Sequence, residues 1–174
     1  HLRELVKTLL FIARAENGQA VVECERLNVA DRLEKIRSFF EAGASETGVS
    51  ISLQCDPSLS IYADNTLFQR AVSNLVANSL SHTPRGGSVS LEAAANDSGV
   101  VVEVADTGEG IAPENQAHVF DRFFRADAAR RTDKDRVGLG LAITKTIVDL
   151  HKGRVSLESK PGHGTRFSLY FPAA

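Results

Sequence analysis

The stretch Leu67 to Pro84, LFQRAVSNLVANSLSHTP, constrains the fold more than any other, because it reads as one helix with two different sides. Phe68, Val72, Leu75, Val76 and Leu80 recur at intervals of three and four, the spacing that turns one side of an α-helix to a core. A helix apolar on one side needs a second layer to cover it. Asn74, Asn78 and His82 follow one another at four-residue spacing and stack along a different side. Asparagine lowers helix propensity, and a buried carboxamide must find hydrogen-bond partners. Two of them in one row point to a polar ligand, while each taken alone also fits a solvated or capping residue. Asp64 or Asn65 is placed to cap the start of this helix.

The covering layer is legible on both sides of the helix. Ala20 to Leu27 reads as a short strand, and Asn28 can cap a helix to about Thr47 with Val29, Leu33, Ile36, Phe39 and Phe40 inward and Gly48 as its stop. Val49, Ile51 and Leu53 alternate with polar residues in a strand to Gln54, and Leu59 to Tyr62 is a further extended piece. Gly86-Gly87 turns into a strand at Ser88 to Ala95, and Asn96-Asp97-Ser98-Gly99 turns into a second at Val100 to Ala105, a hairpin. The run VVVEVA is nearly all apolar and so belongs in the middle of a sheet. Pro113 suits the first turn of a short helix to about Val119. Gly138 to His151 reads as another helix ended by Gly153, followed by alternating strands at Arg154 to Ser159 and Thr165 to Phe171. Strands and helices intermix with hairpins, so the expected fold is α/β (α+β), a two-layer sandwich in which a mixed sheet is covered on one face by helices.

Leu2 to Glu16 carries Leu2, Leu5, Val6, Leu9, Leu10, Ile12 and Ala13 at helical period, with Asn17-Gly18 as the stop. Two readings fit this stripe: a partner helix from outside the chain, or folding back on the same domain. The chain contains no Met, and its first residues already read as helix interior, so a piece of a longer protein is expected. Composition bounds the rest. At 174 residues, 43% hydrophobic and formal net charge -2, the chain suits one soluble domain with its own core and gives no sign of nucleic-acid binding. No apolar run approaches the roughly 20 residues that span a bilayer, and no signal peptide precedes the first helix. Cys24 and Cys55 lie far apart without metal-ligand spacing, which favours reduced thiols in a cytosolic domain over a bridge.

Two glycine-rich segments carry further chemistry. Asp106-Thr107-Gly108-Glu109-Gly110-Ile111 places a carboxylate at a strand end, followed by glycines that let backbone approach a ligand. An ionised Asp only accepts hydrogen bonds, which suits an exocyclic amine such as that of adenine; a tight turn held by its own Asp fits the hexapeptide equally. VGLGLAI, with Gly138, Leu139, Gly140 and Leu141, is a glycine-rich helix entry whose free N–H groups and dipole favour phosphate. It follows no strand and lacks the Walker lysine, so neither a P-loop nor a dinucleotide fingerprint is supported. Between the two lies FDRFFRADAARRTDKDRV, Phe120 to Val137, charged, without sustained period, and expected to be mobile. Its Arg122 and Arg125 could supply charge to phosphate oxygens or form a solvated basic surface.

The order of these segments resembles the ATP-binding catalytic domain of sensor histidine kinases, in the wider fold shared with type II topoisomerase, chaperone and mismatch-repair ATPases. NLVANSLSHTP is similar to the N box of that family, DTGEGI to its first glycine box, FDRFFRAD to its F box and VGLGLAI to its second glycine box. The resemblance covers essentially the whole chain. It implies ATP and Mg²⁺ as cofactors, with Asn78 helping to hold the metal, Asn74 at the phosphates or their metal, and Asp106 reading the adenine amine. His82 falls beside the nucleotide, Gly108, Gly110, Gly138 and Gly140 match the family glycines with Ile111, Leu139 and Leu141 between or beside them, and Arg122 and Arg125 match basic F-box positions. Phe120 to Val137 becomes an ATP lid. Ser81 stands where many members have Lys or Arg, and Arg136 where the second glycine box usually begins with Gly.

LLFIARAENGQ resembles the end of the second helix of the kinase dimerisation hairpin, in wording closest to the heavy-metal-sensor branch. The resemblance therefore divides the chain into residues 1–18, the end of that hairpin, and 19–174, the catalytic domain. HLRE only superficially resembles the phosphoacceptor motif and lacks its Thr-Pro, so His1 is not read as the acceptor. The implied activity is transfer of the γ-phosphoryl group of Mg·ATP to a histidine of the dimerisation domain absent from this chain, with a homodimeric kinase and a response regulator as partners. The implied setting is the cytoplasmic part of a bacterial inner-membrane sensor. Two alternatives stay open: an ATPase of the wider fold, disfavoured because Asn74 stands where the related ATPases have a Glu base and an amide is no base, and a non-catalytic nucleotide-binding or protein-interaction module.

Overall fold

In the computed structural model, residues 2–125 and 138–173 are described; His1 and Arg136 lie outside them. The elements run α1 (Leu2–Glu16), β1 (Cys24–Asn28), α2 (Val29–Thr47), β2 (Ser50–Cys55), β3 (Ser60–Asp64), α3 (Asn65–His82), β4 (Ser88–Asn96), β5 (Gly99–Asp106), α4 (Pro113–Gln116), α5 (Gly140–Leu150), β6 (Arg154–Ser159) and β7 (Thr165–Pro172). Both expected caps form: Asn28 accepts from the N–H of Asp31, and Asp64, rather than Asn65, accepts from the N–H of Leu67. The first strand is shorter than the sequence suggests, starting at Cys24, and α4 stops at Gln116 instead of Val119.

Five strands form one mixed sheet in the order β2-β4-β5-β7-β6, parallel only between β2 and β4. The apolar strand β5 is central, as its composition predicts. Its register sets Val102 opposite Ala93 and Leu169, and Val104 opposite Leu91 and Phe167, so one side of the sheet is a continuous apolar surface. Against it lie Leu67, Phe68, Ala71, Val72, Leu75 and Val76 of α3, and Ile143, Ile147 and Val148 of α5. The opposite side carries Glu103, which accepts from Arg166 and Ser168, as a polar surface should. β1 and β3 pair separately in an antiparallel two-stranded sheet. A buried histidine ties that small sheet to α5: His151 Nδ1–H donates to the Ile147 carbonyl, and its Nε2 accepts from the N–H of Asp64.

One further sequence expectation needs correction. Phe39 is not inward but 79% exposed, its ring edge-on to Phe40 at 5.1 Å. The buried stripe of α2 is Val29, Leu33, Ile36 and Ala44 with Phe40 half-buried, and Phe39 lies one residue, about 100°, to the side of it. On α3 the buried stripe runs on to Ser79, and Leu80 packs half-buried against the core, as expected. The first helix folds back on its own domain along one side. Leu5, Thr8, Phe11 and Ile12 pack on the domain, where Arg70 donates to Thr8 Oγ1 and lies over the Phe11 ring. Val6, Leu9 and Leu10 stay exposed. No described helix is long and apolar enough to cross a membrane, and both cysteines are free thiols.

Candidate nucleotide site

The site is assembled where α3, the end of β5 and the start of α5 meet. Asn74 Nδ2 donates to the Gly140 carbonyl at 3.1 Å, and the Thr144 hydroxyl bridges the Gly140 and Ala71 carbonyls at 3.1 and 3.2 Å. These bonds fasten the first turn of α5 against the polar side of α3. Leu139, buried, and Leu141, half-buried, root that turn in the core. Among the described residues no side chain caps α5, so its first turn presents its positive end beside Asn74. Asn78, one turn further along, is half-buried, and its carboxamide bonds to none of the described residues. Ser81 turns back on the helix, donating to the Asn78 carbonyl.

The second part is a carboxylate held from two directions. Asp106 follows Val102 and Val104 in the inward register of β5, opposite Val89 on one strand and Thr165 on the other, and is only 9% exposed. Its Oδ1 accepts from the N–H of Gly108 at 2.9 Å and of Thr165 at 3.2 Å. Among the described residues Oδ2 takes no hydrogen bond, so the carboxylate is oriented and retains an acceptor. Backbone packs this closely because two glycines permit it: a Cβ on Gly108 would collide with the His82 carbonyl, and Gly164, at φ +83°, lies against the Asp106 carbonyl. Around them, His82 Nδ1 lies 2.8 Å from Glu109 Oε1, and Gly110 abuts the backbone of Lys160 and Pro161. The N–H of Ile111 donates to Ser159 Oγ, which in turn donates to the Gly164 carbonyl. Sequence reasoning misses Ser159, Gly164, Thr165 and Thr144. A glycine turn before an alternating strand, PGHG, is its only trace, and nothing in it points to Asp106.

The third part is the charged segment after α4. The Phe120 ring packs edge-on to Phe167 in the core, and Phe123, 54% exposed at φ +62°, donates its N–H to the Gly138 carbonyl. Arg125 lies beside Gly138, close to the start of α5. Arg122 forms an ion pair with Glu16 at the end of α1. Residues 126–137, most of the stretch expected to be mobile, lie outside the described residues. The structure thus brings Asn74 to Gly140 and His82 to the Asp106 loop, and leaves Arg122 engaged on α1.

Residues 63–174 match the family model described as Histidine kinase-, DNA gyrase B-, and HSP90-like ATPase. The chain belongs to this family. Within it, the chain is 39% identical to the sensor histidine kinase CusS of Escherichia coli (strain K12) over 99% of its own length, and 35% identical to the sensor protein IrlS of Burkholderia pseudomallei over the same share. It spans only about a third of each: 35% of CusS and 37% of IrlS. Among solved structures it superposes on full-length ShkA in complex with AMPPNP with a TM-score of 0.82 and 30% identity, covering 100% of this chain and 37% of that one. The Acinetobacter baumannii histidine kinase AdeS shares the fold, with a TM-score of 0.81 at 20% identity, covering 98% of this chain and 78% of AdeS. This family member therefore has the mixed sheet and helical layer of histidine kinase catalytic domains.

Proposed function

We propose that this chain binds Mg·ATP between α3, the end of β5 and the start of α5, and that the γ-phosphoryl group passes to a histidine on a dimerisation hairpin outside it. One observation carries the reading: Asp106 is buried, fixed through Oδ1 by two backbone N–H groups, and left with an acceptor-only oxygen. An oxygen of that kind fits an exocyclic amine and suits no anion. The groups nearby suit the rest of a nucleotide. The start of α5 offers N–H groups to phosphate, and the half-buried Asn78 offers a carboxamide oxygen to a cation.

Among the described residues no three His, Cys, Asp or Glu side chains cluster to hold a metal. A magnesium ion here would draw most of its oxygens from phosphate and water, as such sites usually do, with Asn78 as the protein ligand. When bound it would neutralise phosphate charge. The chain itself positions: Asn74 spends its amide N–H on Gly140 and so holds the helix start, and as an amide it cannot take a proton from water. That favours transfer to a nucleophile over hydrolysis. Arg125 and, once released from Glu16, Arg122 supply positive charge from the lid side. Residues 1–18 are read as the end of the second hairpin helix and 19–174 as the catalytic domain, within the cytoplasmic part of a membrane-anchored, homodimeric sensor that serves a response regulator.

The test supplies the chain with labelled ATP, Mg²⁺ and a separate dimerisation hairpin carrying its histidine. Label on the hairpin that is lost in acid and stable in base is the expected result. Binding without transfer would replace the reading with a non-catalytic module, and phosphate release without the hairpin would replace it with an ATPase.

A further inference from the structure

Helix α2 carries two flanks of opposite character. On one, Arg37 bonds to both Glu34 and Glu41, so the charges are satisfied within the helix. On the other stand Arg32, Lys35, Phe39, Gly43 and Glu46. At about 100° per residue these five lie within about 40° of Phe39, along one stripe. Phe39 is 79% exposed, its ring set edge-on to Phe40. Arg32 is half-buried with an unpartnered Nε, and neither it nor the exposed Lys35 and Glu46 forms an ion pair among the described residues. Gly43 sharpens the contrast, because it sits in the helix interior, where only proline is less favourable. A Cβ there would meet nothing within 4 Å, so no packing inside the chain calls for the glycine. A bare backbone beside an exposed ring allows a second helix to come close.

The order along the stripe says which surface fits it. Arg32 precedes Phe39 by as many residues as Glu46 follows it, about 10.5 Å each way, and Lys35 and Gly43 stand equally far before and after the ring. Turned end for end, the stripe is therefore its own complement. Phe39 meets its counterpart, the space beside Gly43 receives the long side chain of Lys35, and Arg32 meets Glu46 on both sides of the two-fold axis. We propose that α2 pairs antiparallel with α2 of a second copy of this chain, centred on Phe39. The two rings supply the apolar contact, and the oppositely charged ends fix the register. One helix stripe is a small surface, so the association is weak, with a Kd of about 100 μM to 1 mM for the separate chain. None of these five residues belongs to the candidate nucleotide site, so the pairing stands apart from that reading.

Sedimentation equilibrium over a concentration series tests the pairing, with thermal unfolding of each protein beside it. Arg32→Glu and Glu46→Arg each set like charges at both ends of the contact, and each is expected to weaken self-association about tenfold. Mixed in equal amounts, the two variants can form a hetero-pair with opposite charges at both ends. The mixture is expected to regain the association of the unmodified chain. Phe39→Ala should abolish self-association with no fall in Tm, since an exposed ring holds little of the fold. Gly43→Leu should also abolish it while Tm holds or rises, because leucine is the better helix former and fills the space a partner needs. A mixture no more associated than either charge variant alone overturns the proposal. So does self-association that ignores all four substitutions, as pairing through the exposed Val6, Leu9 and Leu10 of α1 would give. An unmodified chain that remains monomeric at about 1 mM overturns it as well.

Discussion

The two ends of the candidate site are built from different material. At the Asp106 end, backbone meets backbone: the carboxylate is buried, two N–H groups hold it, and Gly108 and Gly164 allow the His82 and Asp106 carbonyls within contact. At the Arg122 end the described anchors include two ring contacts, Phe120 on Phe167 and Phe124 on His118, one backbone bond from Phe123 to Gly138, and an exposed ion pair from Arg122 to Glu16. Backbone contacts inside a sheet cannot shift without parting strands, while exposed side-chain pairs exchange for water at little cost. The difference teaches that the Asp106 end is held by packed backbone, whereas the Arg122 end is held by side chains that can exchange partners.

Substitutions can break that contrast, and the largest effect belongs to Gly164→Ala. A Cβ there meets the Asp106 carbonyl at a φ of +83°, so strain and collision add, and a loss of about 3 kcal/mol or more is expected in urea unfolding. A loss below about 1 kcal/mol would show that the Asp106 end yields easily. His151→Ala comes next, at about 2–3 kcal/mol, because it empties a buried site and strips the Asp64 N–H of its acceptor. At the other end, Glu16→Gln should change stability by less than about 1 kcal/mol, and a double-mutant cycle with Arg122→Ala gives the pair energy directly. A larger coupling would mean that the Arg122 end is also fixed.

The smallest effect sharpens the same rule on α2. Arg37, hydrogen-bonded to Glu34, holds that exposed carboxyl at about 2, below its ordinary 4.5. The pair therefore stabilises the fold above pH 4.5, and its contribution is lost as pH falls toward about 2. Unfolding followed across that window in Arg37→Ala should show a flatter slope than in the parent, a minor change because the groups are solvated.

Local patterns in the chain carry most of the architecture. The caps Asn28 and Asp64 lie beside clear apolar periods, and VVVEVA declares a central strand by composition alone. Phe39 escapes this logic because two adjacent aromatics cannot both face the core of one helix, and the sequence does not say which one turns out. The site is less legible for a different reason. Asp106 and Thr165 meet across neighbouring strands, and Glu16 and Arg122 across most of the chain, so no local spacing joins them.

In the proposed function Asp106 reads the base of a nucleotide held in this cleft. Calorimetric titration with ATP, with and without Mg²⁺, of the unmodified chain and of Asp106→Asn tests it most directly. Saturable Mg²⁺-dependent binding that falls at least about tenfold in Asp106→Asn, with the variant still folded, is the expected result. Equal affinity in the two proteins, or no binding by the folded unmodified chain, would contradict it.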